Sequence, residues 1–169
     1  VGHLALQSIT EGDDNVAIGY HALQAMAATD GNDNNTAIGT YAMQAAGASS
    51  NVAANNTTVG FQSGYAITTA DSSVIIGSNA GVAITTGNEN TVMGSRALGT
   101  ATTATYNVSI GGDSMYAVPA GQAVTGVVAI GLEAVKGSAS TTTGIDGTVA
   151  VGRAALKDIT TGAGNTAVG

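Results

Sequence analysis

Short apolar segments that end in glycine recur along the whole chain and set its pattern of hydrophobic and polar positions. Clear copies read Asn-Val-Ala-Ile-Gly at 15–19, Asn-Thr-Ala-Ile-Gly at 35–39 and Asn-Val-Ser-Ile-Gly at 107–111. Side chains alternate between the two faces of a β-strand. Each copy therefore predicts a short strand whose first and third residues, such as Val16 and Ile18, share one face, while the second residue faces the other way.

The glycines that close these segments keep a nearly fixed phase, and we call them the motif glycines. They are Gly2, Gly19, Gly39, Gly60, Gly77, Gly94, Gly111, Gly131, Gly152 and Gly169. Neighbouring motif glycines are 17, 20 or 21 residues apart, so the base unit is 17 residues with insertions of three or four. A repeat of this length is typical of solenoids, in which each unit packs only on its neighbours.

The register extends beyond the glycine. The third residue after it is Ala or Ser in every unit, as at Ala22 and Ser63, and the fourth is usually aliphatic, as at Leu23 and Leu98. Two short strands of about five residues, with two turns, use up one unit. The sequence therefore predicts an all-β fold, a repetitive parallel β-roll or β-helix (a solenoid) with coils of 17–21 residues.

The regular spacing of the motif glycines also predicts the domain organisation. Residues 1–169 form a single repeat region of about nine coils. The chain opens on Val1-Gly2 and closes on Val168-Gly169, which is the same point of the repeat. We therefore expect it to be a segment of a longer fibrous protein.

Both faces of the predicted strands are apolar or small. In the first strand Val16 and Ile18 oppose Ala17, and in a later one Val108 and Ile110 oppose a serine. Strands without a polar face are normally buried on both sides, as parallel strands usually are. One face can cover the interior of the coil, and the other requires a further partner. The pattern therefore predicts lateral association of chains.

An asparagine precedes most of the strands. These residues are Asn15, Asn35, Asn56, Asn90, Asn107 and Asn165. Asparagines stacked in register can form a ladder of side-chain hydrogen bonds, but Asn is also a good turn residue that tolerates left-handed backbone. The sequence leaves both interpretations open.

Composition and charge exclude several functional classes. The net charge is −7, and no basic cluster occurs, so we expect no nucleic-acid partner. The chain has no Cys, which removes disulfide and thiolate–metal chemistry. No apolar segment approaches the roughly 18 residues of a membrane helix, so we expect no membrane insertion.

The candidate chemical groups do not form a recognisable catalytic motif. His3 and His21 are not accompanied by a serine nucleophile motif, and Gly111-Gly112 lacks the Gly-Lys-Ser/Thr sequence of a phosphate loop. We therefore expect no catalytic residue, no cofactor and no metal site, and we expect that the protein is not an enzyme. The basic residues, which we predict to be solvated, are Arg96, Lys136, Arg153 and Lys157.

Acidic residues concentrate in the turns. The groups are Asp13-Asp14, Asp30 with Asp33, and Glu89 among asparagines. They lack the spacing of a calcium-binding loop, so we predict that they cap turns. Asp13 and Asp14 with Asp33 are the one loose candidate for the paired acids of a β-helical polysaccharide depolymerase.

Six aromatic residues allow two interpretations. They are Tyr20, Tyr41, Phe61, Tyr65, Tyr106 and Tyr116. Such residues often seal strand corners, but rings exposed on the flank of a fibre could instead stack on sugars.

The repeat resembles two families. The unit Asn-Thr-Ala-Ile-Gly-x-x-Ala-Leu, with a Thr-Thr-Gly stretch before the next Asn, resembles repeats in phage tail fibres and tail spikes, most clearly from Gly77 to Gly94 and from Gly152 to Gly169. The Val-Ala-Ile-Gly core also resembles the head repeats of trimeric autotransporter adhesins. The latter resemblance implies a parallel β-roll, three identical chains around one axis, and attachment to a host surface. Autotransporter units are shorter than those of this chain, which favours the phage-type fibre.

Together these features predict a structural and adhesive segment of an extracellular fibre, located on a virion tail fibre or a bacterial cell surface. The expected partners are further copies of the chain, in a homotrimer, and a host-surface glycan or protein. The alternatives are a trimeric autotransporter adhesin head, a self-assembling bacterial surface filament and, further away, the β-helical depolymerase.

Overall fold

The computed structural model describes residues 1–9, 11–25, 31–44, 52–138 and 142–169. The described residues form nine strands and no helix, and hence no helix that could cross a membrane. The strands are β1 (Val16–Ile18), β2 (Thr36–Ile38), β3 (Thr57–Val59), β4 (Val74–Ile76), β5 (Thr91–Met93), β6 (Val108–Ile110), β7 (Val128–Ile130), β8 (Val149–Val151) and β9 (Thr166–Val168). They make one parallel sheet in chain order. This architecture confirms the predicted all-β parallel solenoid.

The strands stack in register, motif on motif. In the pair β1–β2, for example, Ala17 lies opposite Ala37, and Ile18 lies opposite Ile38. The insertions of three or four residues therefore leave the alignment of the strands unchanged.

The prediction of two five-residue strands per coil was wrong, because each coil contributes one strand of three residues to this sheet. The second and fourth residues after the motif glycines have left-handed backbone, for example Arg96 with φ 57° and Leu98 with φ 49°. A strand needs extended dihedral angles throughout, so it ends at the glycine. Neighbouring coils nevertheless stay hydrogen-bonded there, since the Leu98 amide donates to the Ser114 carbonyl over 2.9 Å.

The middle residue of each strand points into the solenoid. Ala37, Ile75 and Val92 are fully buried, and they pack with the small residue and the aliphatic residue that follow each motif glycine, such as Ala97 and Leu98. The interior is narrow, so Ala and Ser suit it better than larger side chains. The first and third strand residues point outward.

The motif glycines form a column in which the backbones of successive coils touch. Gly77 has φ +134°, and a Cβ atom placed on it would lie 2.6 Å from the carbonyl oxygen of Gly94. Only glycine combines this conformation with this approach. The column fixes the point at which every coil bends.

Candidate functional site

The outward residues of the nine strands form a continuous, mainly apolar surface, which we call the outer face. Its first column is Val16, Thr36, Thr57, Val74, Thr91, Val108, Val128, Val149 and Thr166, and its second is Ile18, Ile38, Val59, Ile76, Met93, Ile110, Ile130, Val151 and Val168. None of these side chains is charged. Ile18 is 45% exposed and Met93 is 39% exposed. Large contiguous apolar surfaces of this kind mark interaction sites.

The asparagines that precede the strands lie in one column between the interior and the turn. The Asn35 side-chain oxygen accepts a hydrogen bond from the Asn56 amide over 3.0 Å, and the Asn56 side-chain nitrogen donates to the Ala70 carbonyl over 2.7 Å. The same geometry links Asn90 to Asn107, whose amide donates to the Asn90 side-chain oxygen over 3.1 Å. These residues therefore make a ladder that runs from coil to coil.

The left-handed turn conformation belongs to the residue before each of these asparagines. Asn34 has φ 57° and Asn55 has φ 60°. Where the column has a serine, Ser73, its hydroxyl oxygen accepts from the Asn90 amide over 3.2 Å. Asn15 donates to the Asn32 carbonyl over 2.6 Å and Asn165 donates to the Gly162 carbonyl over 2.7 Å.

Aromatic side chains gather on one flank of the first coils, beside the outer face. The rings of Tyr20 and Tyr41 meet edge to face with centroids 5.4 Å apart, and Tyr41 is 6.4 Å from Phe61 and 6.5 Å from Tyr65. His3 stacks on Tyr20 at 5.5 Å. The remaining two aromatic residues belong to later coils, where Tyr106 is 57% exposed and Tyr116 lies beneath the Arg96 guanidinium.

Glutamines accompany these rings, and the sequence reasoning missed them. The Gln24 side-chain nitrogen donates to the Gln7 oxygen over 2.8 Å, and the Gln44 nitrogen donates to the Gln24 oxygen over 3.0 Å. Their shared position in the repeat is the feature of the sequence that could have identified them. Each is the fifth residue after a motif glycine, and they are Gln7, Gln24 and Gln44. These three amides form a second, shorter ladder on the flank.

A concavity of about 400 Å³ opens where the aromatic rings and the amides meet. We call it the aromatic–amide cavity, and its lining is His21, Tyr41, Gln44, Gln62 and Tyr65. Burial raises the pKa of Tyr41, and the neighbouring Tyr20 raises it further. The Nε2 atom of His21 is buried and has no hydrogen-bond partner within the part of the chain that the structure describes.

In later coils the same flank carries ion pairs. Arg96 binds Asp113 through two hydrogen bonds of 2.8 and 2.7 Å. Glu133 lies 2.7 Å from Lys136 and 2.8 Å from Lys157. The hydrogen bonds from the two lysines lower the pKa of Glu133 to about 2. Three of the four basic residues therefore link neighbouring residues or coils, and Arg153 is exposed.

The acidic turns are built into the backbone network. The Asp13 amide donates to the Asp33 carboxylate over 2.8 Å, and Asp14 and Glu89 are left-handed turn residues with φ 54° and 55°. Asp30 lies outside the described residues. Within the described ranges, no three His, Asp or Glu side chains gather into a group that could hold a metal ion.

The fold defines the chain as a parallel β-solenoid repeat protein. Comparison with protein-family profiles, curated proteins and solved structures finds no significant match. The function must therefore be inferred from two distinctive surfaces of the chain, the outer face and the aromatic–amide cavity.

Proposed function

We propose that this chain is a structural and adhesive segment of an extracellular fibre of the phage-tail-fibre type, in which three identical solenoids associate along their outer faces. The outer face is the observation that carries this proposal. It is uncharged over nine strands in a protein whose net charge is −7, so the acidic side chains all lie elsewhere.

A second copy of the same solenoid is the occupant that fits the outer face best. Its two columns repeat once per strand, at a spacing of about 4.8 Å, over a length of about 40 Å. Another copy offers the same period, so a contact that is favourable at one strand is favourable at all of them. A globular partner would match only a short part of such a lattice.

The threonines in the outer face are compatible with this burial. Thr36, Thr57, Thr91 and Thr166 share the first column with valines, and both residue types are β-branched and nearly equal in size. Different coils can therefore contribute apolar area or hydroxyl groups to one close-packed interface. The threefold arrangement and the role in host attachment come from the resemblance to trimeric fibre proteins.

Sedimentation velocity on the purified chain tests the association. We expect a mass of three times 16.3 kDa. The double substitution Ile76→Asp with Met93→Asp, on neighbouring strands of the outer face, should give monomers, because a buried unpaired carboxylate is costly. Thr69→Asp with Thr86→Asp adds the same charge at two exposed positions away from the outer face and should leave the trimer intact.

A folded, stable monomer of the unmodified chain would contradict the trimer. Dissociation by the control pair as readily as by the outer-face pair would show that net charge, and not this surface, governs association.

A further inference from the structure

We infer that the aromatic–amide cavity binds a neutral carbohydrate of a host surface, an inference that rests on the adhesive function proposed above. The five lining side chains come from the three successive coils that follow Gly19, Gly39 and Gly60. The volume of about 400 Å³ lies within the range of small-molecule sites, which is roughly 300–1,000 Å³. It is large enough for one or two sugar rings.

Two tyrosines form the apolar walls. The rings of Tyr41 and Tyr65 are inclined at 80° with their centroids 6.5 Å apart, so they present two differently oriented surfaces. A pyranose ring has an apolar C–H face that packs on such a surface and hydroxyl groups at its edge. Tyrosine matches both parts, since it combines an apolar ring with a polar hydroxyl group.

Exposed rings continue this surface along the solenoid axis. Tyr20 is 43% exposed and Phe61 is 47% exposed, and each follows directly after a motif glycine. With Tyr41 between them, they place one aromatic residue on each of three successive coils. An oligosaccharide that follows the axis would therefore meet a ring at every step.

The amides supply the polar contacts. The Gln62 oxygen accepts from Asn79 over 2.9 Å, and the Gln44 nitrogen donates to Gln24 over 3.0 Å. These bonds leave the Gln62 nitrogen as a donor and the Gln44 oxygen as an acceptor without a partner among the described residues. Sugar hydroxyl groups both donate and accept, so they match a mixed set of this kind.

The charges favour a neutral ligand. None of the five lining residues carries a fixed charge, and all four Lys and Arg residues follow Gly94 in the chain. A phosphate or an acidic sugar would thus lack a cation. A quaternary ammonium needs only aromatic faces, which would leave the amides without partners.

Association of three chains would give one particle three copies of a weak binding site. Three parallel copies carry three cavities at the same height on the fibre, and linked sites raise the apparent affinity well above that of one. A shallow cavity of moderate affinity therefore suffices for adhesion.

Saturation-transfer NMR on the intact assembled chain tests the inference. The probes are neutral oligosaccharides of glucose, galactose, mannose and N-acetylglucosamine, with sialyllactose and choline as charged comparisons. We expect transfer to at least one neutral probe and none to the charged ones. Tyr65→Ala should weaken binding about tenfold, and Gln62→Leu should also weaken it.

Tyr116→Ala is the matched control. Tyr116 has the same position in its coil as Tyr65, the fifth residue after the motif glycine, but Arg96 lies over its ring at 5.3 Å. This substitution should leave binding unchanged. Each variant is first checked by sedimentation, so that a loss of assembly is not mistaken for a loss of sugar contacts.

Three outcomes would overturn the inference. They are absence of transfer to every neutral probe, preferential binding of sialyllactose or choline, and equal effects of Tyr65→Ala and Tyr116→Ala. A trimer that binds no probe would remove the carbohydrate site and leave the fibre proposal standing. A monomer that binds sugar would contradict the trimer and leave the carbohydrate site standing.

Discussion

At the scale of the residue, backbone conformation constrains this protein more tightly than side-chain chemistry does. Each coil contains a motif glycine with φ near +135° and further left-handed residues on both sides of it. Some of these are bulky, such as Leu98 and Val135, each with φ 49°, a conformation that bulky and β-branched residues rarely adopt. Gly64 and Gly81 occupy the same position in their own coils without that cost. Contacts with neighbouring coils must therefore compensate for local strain.

Gly111→Ala tests the column of motif glycines. Gly111 has φ +126°, and an added Cβ would lie 2.5 Å from the Gly131 carbonyl oxygen. We expect a loss of about 3 kcal/mol or more in the free energy of unfolding, since backbone strain and overpacking each cost about 1–3 kcal/mol. Chemical denaturation measures this loss.

The adjacent Gly112→Ala is the control for this substitution. An added Cβ there would meet only the end of the Leu132 side chain, at 3.3 Å, and that side chain can move. Its effect should stay within about 1 kcal/mol. Equal losses at the two positions would show that the close approach of the backbones is not the cause.

Glu133 makes stability depend on pH. Its ordinary pKa of 4.5 falls to about 2 in the folded protein because Lys136 and Lys157 donate hydrogen bonds to it. The stabilisation is fully present above about pH 4.5 and is lost as the pH falls toward 2, where the folded protein takes up the proton.

Glu133→Gln should therefore flatten the fall in melting temperature between pH 4.5 and pH 2. Glu11→Gln, at an exposed acid outside this cluster, is the control and should leave the fall in place. An unchanged slope in the Glu133 variant would contradict the assignment.

At the scale of the element, each strand is too short to be stable alone and depends on the ladder beside it. Asn35, Asn56, Asn90 and Asn107 are buried, and their side chains satisfy backbone groups at the turn that leads into the next strand. Buried polar backbone groups must find partners. In a regular sheet, further strand residues would supply these hydrogen-bond partners. Here the asparagine ladder supplies them.

Asn90→Ala tests the ladder. The substitution leaves the Asn107 amide without its acceptor and the Ala104 carbonyl without the donor that now lies 2.7 Å away. At about 1–3 kcal/mol for each of these two unsatisfied groups, we expect destabilisation of about 2–6 kcal/mol by thermal or chemical unfolding.

Asn90→Ser should cost roughly half as much as Asn90→Ala. A serine retains an acceptor, as the natural Ser73 does when it accepts from the Asn90 amide over 3.2 Å. If the alanine variant were as stable as the unmodified protein, the asparagines would serve only as turn residues.

At the scale of the whole molecule, the solenoid is a stack of nearly equivalent coils. Each strand pairs only with the strands directly before and after it, and the register is the same in all eight pairs. Stability in such a protein is close to a sum over coils and their interfaces. Whole coils should therefore be removable, whereas parts of coils should not.

Deletion of residues 78–94 tests this modularity. The deletion removes one complete coil of 17 residues, so β4 would pair with β6, and Ile75 would lie opposite Ser109. We expect a folded protein that is about 4.8 Å shorter by small-angle scattering and retains its β-sheet circular dichroism. Deletion of 78–86, half of that coil, should unfold or aggregate the chain because it places the outer-face residues of one strand against the turn of the next. Equal tolerance of both deletions would contradict the register.

The flank shows why the candidate site was only partly predictable from the sequence. The sequence identifies several aromatic residues as candidates for sugar contact, but no local pattern places them together. They lie up to 45 positions apart in the chain and are Tyr20, Tyr41, Phe61 and Tyr65. The register of the coils brings them within ring contact. The glutamines were missed because an amide at one position of a repeat has no chemical signature until its neighbours in space are known.

The sequence by itself determined the repeat length, the column of glycines, the parallel order of the strands and the division of each strand into an inner and an outer side. These properties follow from local sterics and from strict alternation, which short-range patterns record directly. The tertiary structure alone decided that the described part of each coil contains a single three-residue strand, that the asparagines form a ladder, and that aromatic rings and amides line a cavity. Those features depend on contacts between residues in successive coils, which are 14 to 24 positions apart in the chain. Only the stacking of one coil on the next brings such residues together.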